Sequence, residues 1–262
     1  MIPFLMRGRN EAAVYFEQTI DLTDALPFIE KFNTASAEKG DSAGRITVFH
    51  LLLASLTRVL DERPRLNRFV AGRRLHDRDG IWISFAAKKR FDDAAPMSVV
   101  KRRFDPKEPF SQMVSTLTAK VGEAKTDKKS SVDKELDVLL RMPTFMVEAA
   151  TRLLRTLDFF SLAPRALLEH DPMYTSVFVA NLGSIKIDAA YHHLYEYGNC
   201  PLFVALGRVE RAPVVVDDGS IEARSIVKLK FTYDERVEDG LYAAKALELL
   251  KTYMQSPADW LS

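Results

Sequence analysis

Two segments of the chain concentrate side chains able to move a proton, and a third holds its one thiol. Asp234-Glu235-Arg236-Val237-Glu238-Asp239-Gly240 sets four carboxylates and a guanidinium within seven positions. A carboxylate such as Glu235 can act as a base, but a free pKa of roughly 4.3 leaves it weak unless burial raises it. Ala190-Tyr191-His192-His193-Leu194-Tyr195-Glu196-Tyr197-Gly198 offers two imidazoles, the side chains that titrate nearest neutrality. His192 and His193 are candidates for a base, for a substrate contact, or for a structural or interface role. With Glu196 they also have the donor types of a metal site. Adjacent imidazoles often diverge, however, and no third histidine follows at a useful spacing, so no metal is expected. Cys200 cannot make an internal disulfide and fits a reducing cytoplasm. It stands before Pro201 and the apolar run Leu202-Phe203-Val204-Ala205-Leu206, which points to a structural thiol.

Charge narrows the function further. Thirty-seven Lys and Arg nearly cancel 36 Asp and Glu, which removes the electrostatic argument for nucleic-acid binding. Basic clusters at Arg73-Arg74, Lys88-Lys89-Arg90 and Lys101-Arg102-Arg103 each have acidic residues close by. They read as solvated loops and strand edges, or as a local anion site for the phosphates of a nucleotide-containing cofactor. His50 reads as a satisfied core residue, and His76 and His170 as loop residues. The N-terminus is too early-charged for a signal peptide. No apolar run approaches the ~20 residues needed to span a bilayer. The expectation is a soluble, cytoplasmic protein of one domain over residues 1–262, with 47% apolar residues to fill a core.

The elements that must position these residues follow from patterning. Residues 12–22 are β-rich and alternate, so they predict a strand. A helix over Ala25–Asn33 follows, and residues 37–44 form a polar loop. Thr47 opens a helix over 48–60, apolar on most sides and therefore buried. Short strands come next, at Phe69-Val70, Leu75-His76, 81–86 and 97–100. Helical spacing returns over 109–125, then a polar run 125–131. A second helical block, 133–169, is broken at Pro143 and Pro164. Its run Thr144–Phe160 reads as core or subunit interface, or as a membrane-surface face, because Arg152 and Arg155 flank the apolar side. The last third alternates strands at 176–180, 202–209, 213–216 and 225–233, with a turn at Asp217-Asp218-Gly219, and closes on a helix over 240–254. The fold class is α/β with a mixed, mainly antiparallel sheet.

Four segments in order carry a resemblance. Phe49-His50-Leu51-Leu52-Leu53 runs into Arg63-Pro64-Arg65-Leu66-Asn67. Phe178-Val179-Ala180-Asn181-Leu182-Gly183-Ser184 ends a strand. Ala205-Leu206-Gly207-Arg208-Val209-Glu210-Arg211-Ala212-Pro213-Val214-Val215 forms a strand pair. Phe231-Thr232-Tyr233 leads into the segment 234–240. Together they resemble the catalytic core of the dihydrolipoyl acyltransferases of 2-oxo acid dehydrogenase complexes, over roughly residues 12–262. That resemblance implies a chloramphenicol acetyltransferase-like two-layer sandwich and a homotrimer with active sites between subunits, which often assembles further into a cage. It also implies coenzyme A as a ligand, with Asn181, Gly183 and Ser184 as its candidate contacts. The lipoyl domain, its attachment site and the subunit-binding domain are not seen in the sequence.

The departures from the family pattern matter as much. The family's catalytic histidine stands where this chain has Glu235, and the serine that supplies the oxyanion donor stands where it has Ala180. Asp239 matches the motif's second aspartate, which the resemblance pairs with an arginine, Arg7 or Arg9; Asp234 and Arg236 would form ion pairs at the subunit contact. The expectation is a catalytically impaired homologue acting as a trimeric or higher-order assembly core, with a protein partner. The alternative is an active coenzyme A-dependent acyltransferase using Glu235, His192 or His193 as base.

Overall fold

The computed structural model describes residues 2–38, 44–88, 97–125, 142–216 and 218–261. A short helix α1 (Ile2–Leu5) precedes β1 (Ala13–Asp21), α2 (Ala25–Glu38) and α3 (Val48–Glu62). A small hairpin follows, β2 (Phe69–Ala71) and β3 (Arg74–His76), then β4 (Ile81–Lys88), β5 (Met97–Phe104) and α4 (Phe110–Lys125). The second half holds α5 (Thr144–Phe159), α6 (Arg165–His170), β6 (Val177–Asn181), β7 (Leu202–Val215), β8 (Ile221–Asp234) and α7 (Gly240–Gln255).

The main sheet runs β1-β8-β7-β6-β4-β5. Pairs β1–β8, β7–β8 and β4–β5 are antiparallel, whereas β6–β7 and β4–β6 are parallel. This is the mixed, mainly antiparallel sheet the patterning implies. Alternation divides each strand between two faces. Val177 and Val179 of β6, Val204 and Leu206 of β7, and Leu229 and Phe231 of β8 turn toward the helices and join Leu52, Leu56, Leu60 and Leu250 in the main core. Phe178, Phe203 and Ala205 turn the other way, where Ala189, Leu194 and Cys200 of the connection after β6 cover them. The site segments therefore lie on and around this second face.

Several boundaries move for physical reasons. Nothing in the sequence breaks α2 at Asn33, and it continues to Glu38; the predicted loop beyond it falls mostly on residues 39–43, outside the described residues. Thr47 does cap α3, and its partner in the capping box is His50, which explains a polar residue near a buried helix start. The expected strands 202–209 and 213–216 are one strand with a bulge between Leu206 and Val209. Pro213 sits where β7 has run past β6 and keeps β8 alone as neighbour, so a missing N–H is tolerated. Gly219 turns the β7–β8 hairpin at φ +83, donating to Val216 O at 2.8 Å; Asp217 lies outside the described residues. His76 ends strand β3 and His170 ends helix α6, so neither is a loop residue. Pro143 and Pro164 each stand at the N-cap of the next helix, as their breaks require, while 126–141 lie outside the described residues.

Helix α5 contradicts the core reading of Thr144–Phe160. It has no buried residue, and Phe145 is 71% exposed and Leu153 60%. Its half-buried residues are Val147, Thr151, Leu154, Leu157 and Asp158, so the helix lies on the protein by a mixed edge and leaves Phe145, Leu153 and Phe160 exposed.

Candidate functional site

The end of β8 and the start of α7 define the site. Asp234 is 1% exposed and receives Arg236 as a two-pronged fork, Nε at 2.8 Å and Nη2 at 2.7 Å. Arg9 Nε approaches the same carboxylate at 3.7 Å. Arg9 also donates to Gly198 O at 2.7 Å and to Tyr195 O, and Arg236 donates to Arg7 O at 2.8 Å. Burial pulls the Arg9 pKa down, and the Asp234 carboxylate opposes that shift. The loop is thereby riveted to the N-terminal segment and to the connection after β6.

This corrects the assignment of the arginine. Asp239 is not the ion partner of Arg7 or Arg9; its carboxylate caps α7, accepting from Tyr242 N at 2.8 Å. Asp234 takes the arginines instead, because it ends β8 buried beside Arg9, whereas Asp239 stands outside the sheet at the start of α7. Asp234 and Arg236 pair with each other inside the protomer, not across a subunit contact.

A second clamp comes from the corner after α3. Arg65 and Arg68 reach Glu238 at 3.2 and 3.8 Å, and Arg63 and Arg65 stand over the Tyr242 ring at 4.0 and 4.2 Å. The Arg63-Pro64-Arg65-Leu66-Asn67 corner and the 234–240 segment, far apart in sequence, thus meet. Sequence reasoning passed over these arginines; their recurrence at 63, 65 and 68 around Pro64 was the available signal.

Glu235 is half-buried between the two clamps. Its N–H donates to Ala12 O at 2.9 Å, and its side chain makes no hydrogen bond or ion pair among the described residues. Below it the Tyr233 hydroxyl is buried without a hydrogen-bond partner. Its pKa is pushed up to about 12 by burial first, then by Glu235, Asp239, Asp234 and Glu238. Tyr233 is therefore a neutral donor beside an acidic loop.

Ala180 is not near Glu235. It pairs with Ala205, which pairs with Lys230, five residues short of Glu235. Strand rise and spacing put the two positions about 19 Å apart within one protomer. The turn after Ala180 is internally occupied. Asn181 Oδ1 accepts from Ser184 N at 3.2 Å, Ser184 Oγ donates to Asn181 O at 2.7 Å, and a Cβ on Gly183 would meet Gly207 O at 2.4 Å. Asn181 and Gly183 thus have folding roles of their own, while Ser184 is exposed.

His192 stacks on Phe203 at 4.0 Å and on His193 at 4.5 Å, on the second face of the sheet. His192 Nδ1 meets His193 O at 2.6 Å and His193 Nδ1 meets Leu194 O at 2.9 Å. A carbonyl can only accept, so both Nδ1 atoms carry a proton, and in the neutral ring Nε2 is then the acceptor. Glu196 turns away from them and receives Arg9 N, Asn10 N and Asn10 Nδ2. Among the described residues no group of three or more His, Cys, Asp or Glu could hold a metal. Cys200 is fully buried with its pKa raised by burial, as a structural thiol should be. His50 is half-buried at the start of α3, where burial lowers its pKa to about 4.

Over residues 164–262 the sequence matches the family model described as 2-oxoacid dehydrogenases acyltransferase (catalytic domain). Among solved structures, a probable dihydrolipoamide acetyltransferase from Listeria monocytogenes superposes at TM-score 0.67 with 18% identity, over 93% of this chain and 84% of that one. The chain carries the fold of the dihydrolipoyl acyltransferase core. The dihydrolipoamide acetyltransferase of Azotobacter vinelandii gives 0.64 and 17%, over 95% and 84%. The cubic core of a pyruvate dehydrogenase multienzyme complex gives 0.62 and 18%, over 95% and 84%. Chloramphenicol acetyltransferase shares the same sandwich at 0.52 and 10%, over 96% and 92%. No curated protein sequence matches the chain.

The matched region, 164–262, contains Ala180, His192, His193 and the whole 234–240 loop. No helix among the described residues is long and apolar enough to cross a membrane.

Proposed function

We propose that the chain is an acyltransferase-type core from which ordinary acyl transfer has been withdrawn, and that it acts in the cytoplasm as a trimeric or higher-order assembly centre for a protein partner. One observation carries this reading. The loop is held by Asp234, Arg236, Arg9 and Asp239, yet it presents Glu235 at the base position, and the oxyanion position holds Ala180. Transfer between thiols needs a base, because a thiol pKa near ~8.5 leaves little thiolate at neutral pH. A free carboxylate lies about four units below that value. Loss of one oxyanion donor typically costs about 10²–10³ in rate. In the Azotobacter vinelandii enzyme a serine, a histidine and an asparagine four positions after it are the residues studied for their catalytic role. Glu235 and Asp239 have that spacing, with carboxylates at both positions.

Two observations support assembly. Glu235 and Ala180 lie too far apart to serve one centre inside a protomer, so a shared site requires a second copy. The face of α5 also exposes large apolar side chains, as interaction surfaces do.

An acetyl-coenzyme A:dihydrolipoamide transfer assay decides the chemistry. Turnover at background is expected for the wild type, with activity gained in Glu235→His combined with Ala180→Ser. Robust wild-type turnover abolished by Glu235→Ala would end this reading. Coenzyme A binding, assigned to the Asn181–Ser184 turn and in particular to exposed Ser184, is measured separately by calorimetry. Native mass measurement should show a trimer or larger; a monomer at micromolar concentration contradicts the scaffold role.

The second reading, an active transferase with a relocated base, is favoured by the free Nε2 atoms of His192 and His193. It predicts turnover that survives Glu235→Ala and disappears in His192→Gln with His193→Gln.

A further inference from the structure

Between the N-terminal segment, the β2–β3 hairpin and the C-terminal end of α5 lies a cavity of about 290 Å³. Its wall carries five arginines, Arg7, Arg9, Arg73, Arg155 and Arg236, against the carboxylates Asp158 and Glu196. The floor is fixed. Arg9 and Arg236 are buried and share the carboxylate of Asp234, and Glu196 places a second carboxylate near Arg9. Glu196 is occupied by Arg9 N, Asn10 N and Asn10 Nδ2. Burial raises the Asp158 pKa, and Tyr174 donates to its carboxylate. Neither acid is paired with the three arginines of the rim. The guanidiniums of Arg7, Arg73 and Arg155 make no hydrogen bond or ion pair among the described residues, and Arg73 rests over the Phe4 ring at 5.8 Å.

The position of Arg73 is an independent observation. Ala71 pairs with Arg74, so Gly72 and Arg73 form a two-residue hairpin loop, at φ +56 and +61. Such a loop prefers glycine or asparagine at both central positions. A long side chain at positive φ costs of order 1 kcal/mol and tends to persist where its side chain is used. Here the turn points that side chain at the cavity.

We propose that this cavity binds a phosphoryl group. Guanidinium forks match the oxygens of phosphate two at a time, and a dianion answers the unpaired arginines of the rim. At about 290 Å³ the cavity is near the lower end of the ~300–1,000 Å³ typical of small-molecule pockets. It therefore receives a phosphate or diphosphate, alone or as the end of a larger molecule that extends outside. The site does not depend on the scaffold reading, because neither Glu235 nor Ala180 lines it.

Calorimetry on the full chain with inorganic phosphate, inorganic pyrophosphate and coenzyme A, at matched ionic strength with acetate as control, tests this. Saturable binding of at least one phosphoryl probe is expected, weakened about tenfold by Arg73→Gln and again by Arg155→Gln. Both arginines are exposed, Gln suits a helix at 155, and neither change alters the strain at 73, so melting temperatures should stay near wild type. Binding of phosphate or pyrophosphate identifies a free anion; binding of coenzyme A alone, lost in the same variants, identifies a nucleotide-borne group. Absence of binding by all three probes, equal binding of acetate, or binding that survives the double substitution overturns the proposal.

Discussion

The loop Asp234–Gly240 and helix α5 are constrained in opposite ways. The loop is short, and nearly every polar group in it is used: Asp234 by two arginines, Glu238 by Arg65 and Arg68, Asp239 by the first turn of α7. Helix α5 is long and amphipathic, yet it buries no residue and presents Phe145 and Leu153 to solvent. The loop has most of its polar side chains tied within the protomer. A helix with a strong apolar face has few contacts within the protomer. The difference separates what folding requires from what a neighbour requires. Constraint satisfied inside the chain marks the framework, and apolar surface left unsatisfied marks an outside contact.

Breaking the loop should give the largest effect. Asp234→Ala leaves Arg9 and Arg236 buried without their carboxylate, and removing one partner of a buried pair costs about 3–5 kcal/mol. Urea unfolding should show this as a lower midpoint. A loss under about 1 kcal/mol would mean that the cluster does not hold the loop. A pH effect comes next, through the helix that carries the arginine corner. His50 Nδ1 accepts from Thr47 N at 3.2 Å, and its folded pKa of about 4 lies below the ordinary 6.5. The folded state then binds fewer protons than the unfolded chain between these values. Its contribution is complete above pH 6.5 and is lost as pH falls toward 4, up to about 3 kcal/mol. Unfolding of wild type and His50→Gln compared at pH 7 and pH 4.5 should show their difference moving against the wild type at the lower pH. A difference independent of pH would remove the assignment.

How far the sequence anticipates this contrast depends on the range of the interaction. Alternation and helical spacing locate β1, α3, β6, β8 and α7, because those patterns are local to each element. The four ordered segments, by resemblance, locate the loop and the fold. Two long-range facts escaped. Asp234 and Asp239 are five residues apart and chemically alike, and only the tertiary structure shows that the first meets Arg9 at the end of β8 while the second caps a helix. Thr144–Phe160 has the pattern of a buried helix, and only the tertiary placement shows its apolar side uncovered. Amphipathic patterning reports that a face seeks a partner, not whether the partner is in the same chain.

A smaller change sharpens the framework side. Asp239→Ala removes the cap on α7 and should cost about 1 kcal/mol. Asp239→Asn, which keeps an acceptor oxygen, should recover most of it. If Asn recovers nothing, the charge matters more than the hydrogen bond, and the first-turn position of a carboxylate at a helix dipole becomes the better account.

The smallest effect on stability is expected on α5, and there it is the informative result. Phe145→Asp with Leu153→Asp changes two exposed side chains, so the unfolding free energy at low protein concentration should stay within about 0.5 kcal/mol per site. If the apolar face meets another chain, the same pair places charges in a desolvated contact, and native mass should shift toward smaller species while the protomer remains folded. Separation of the two readouts is what the contrast requires: Asp234→Ala lowers stability at every concentration, whereas the α5 pair alters only what depends on concentration. Should the α5 pair instead unfold the dilute protomer, the face is part of the protomer's own core after all. Should it change neither readout, the exposed helix contributes nothing to assembly.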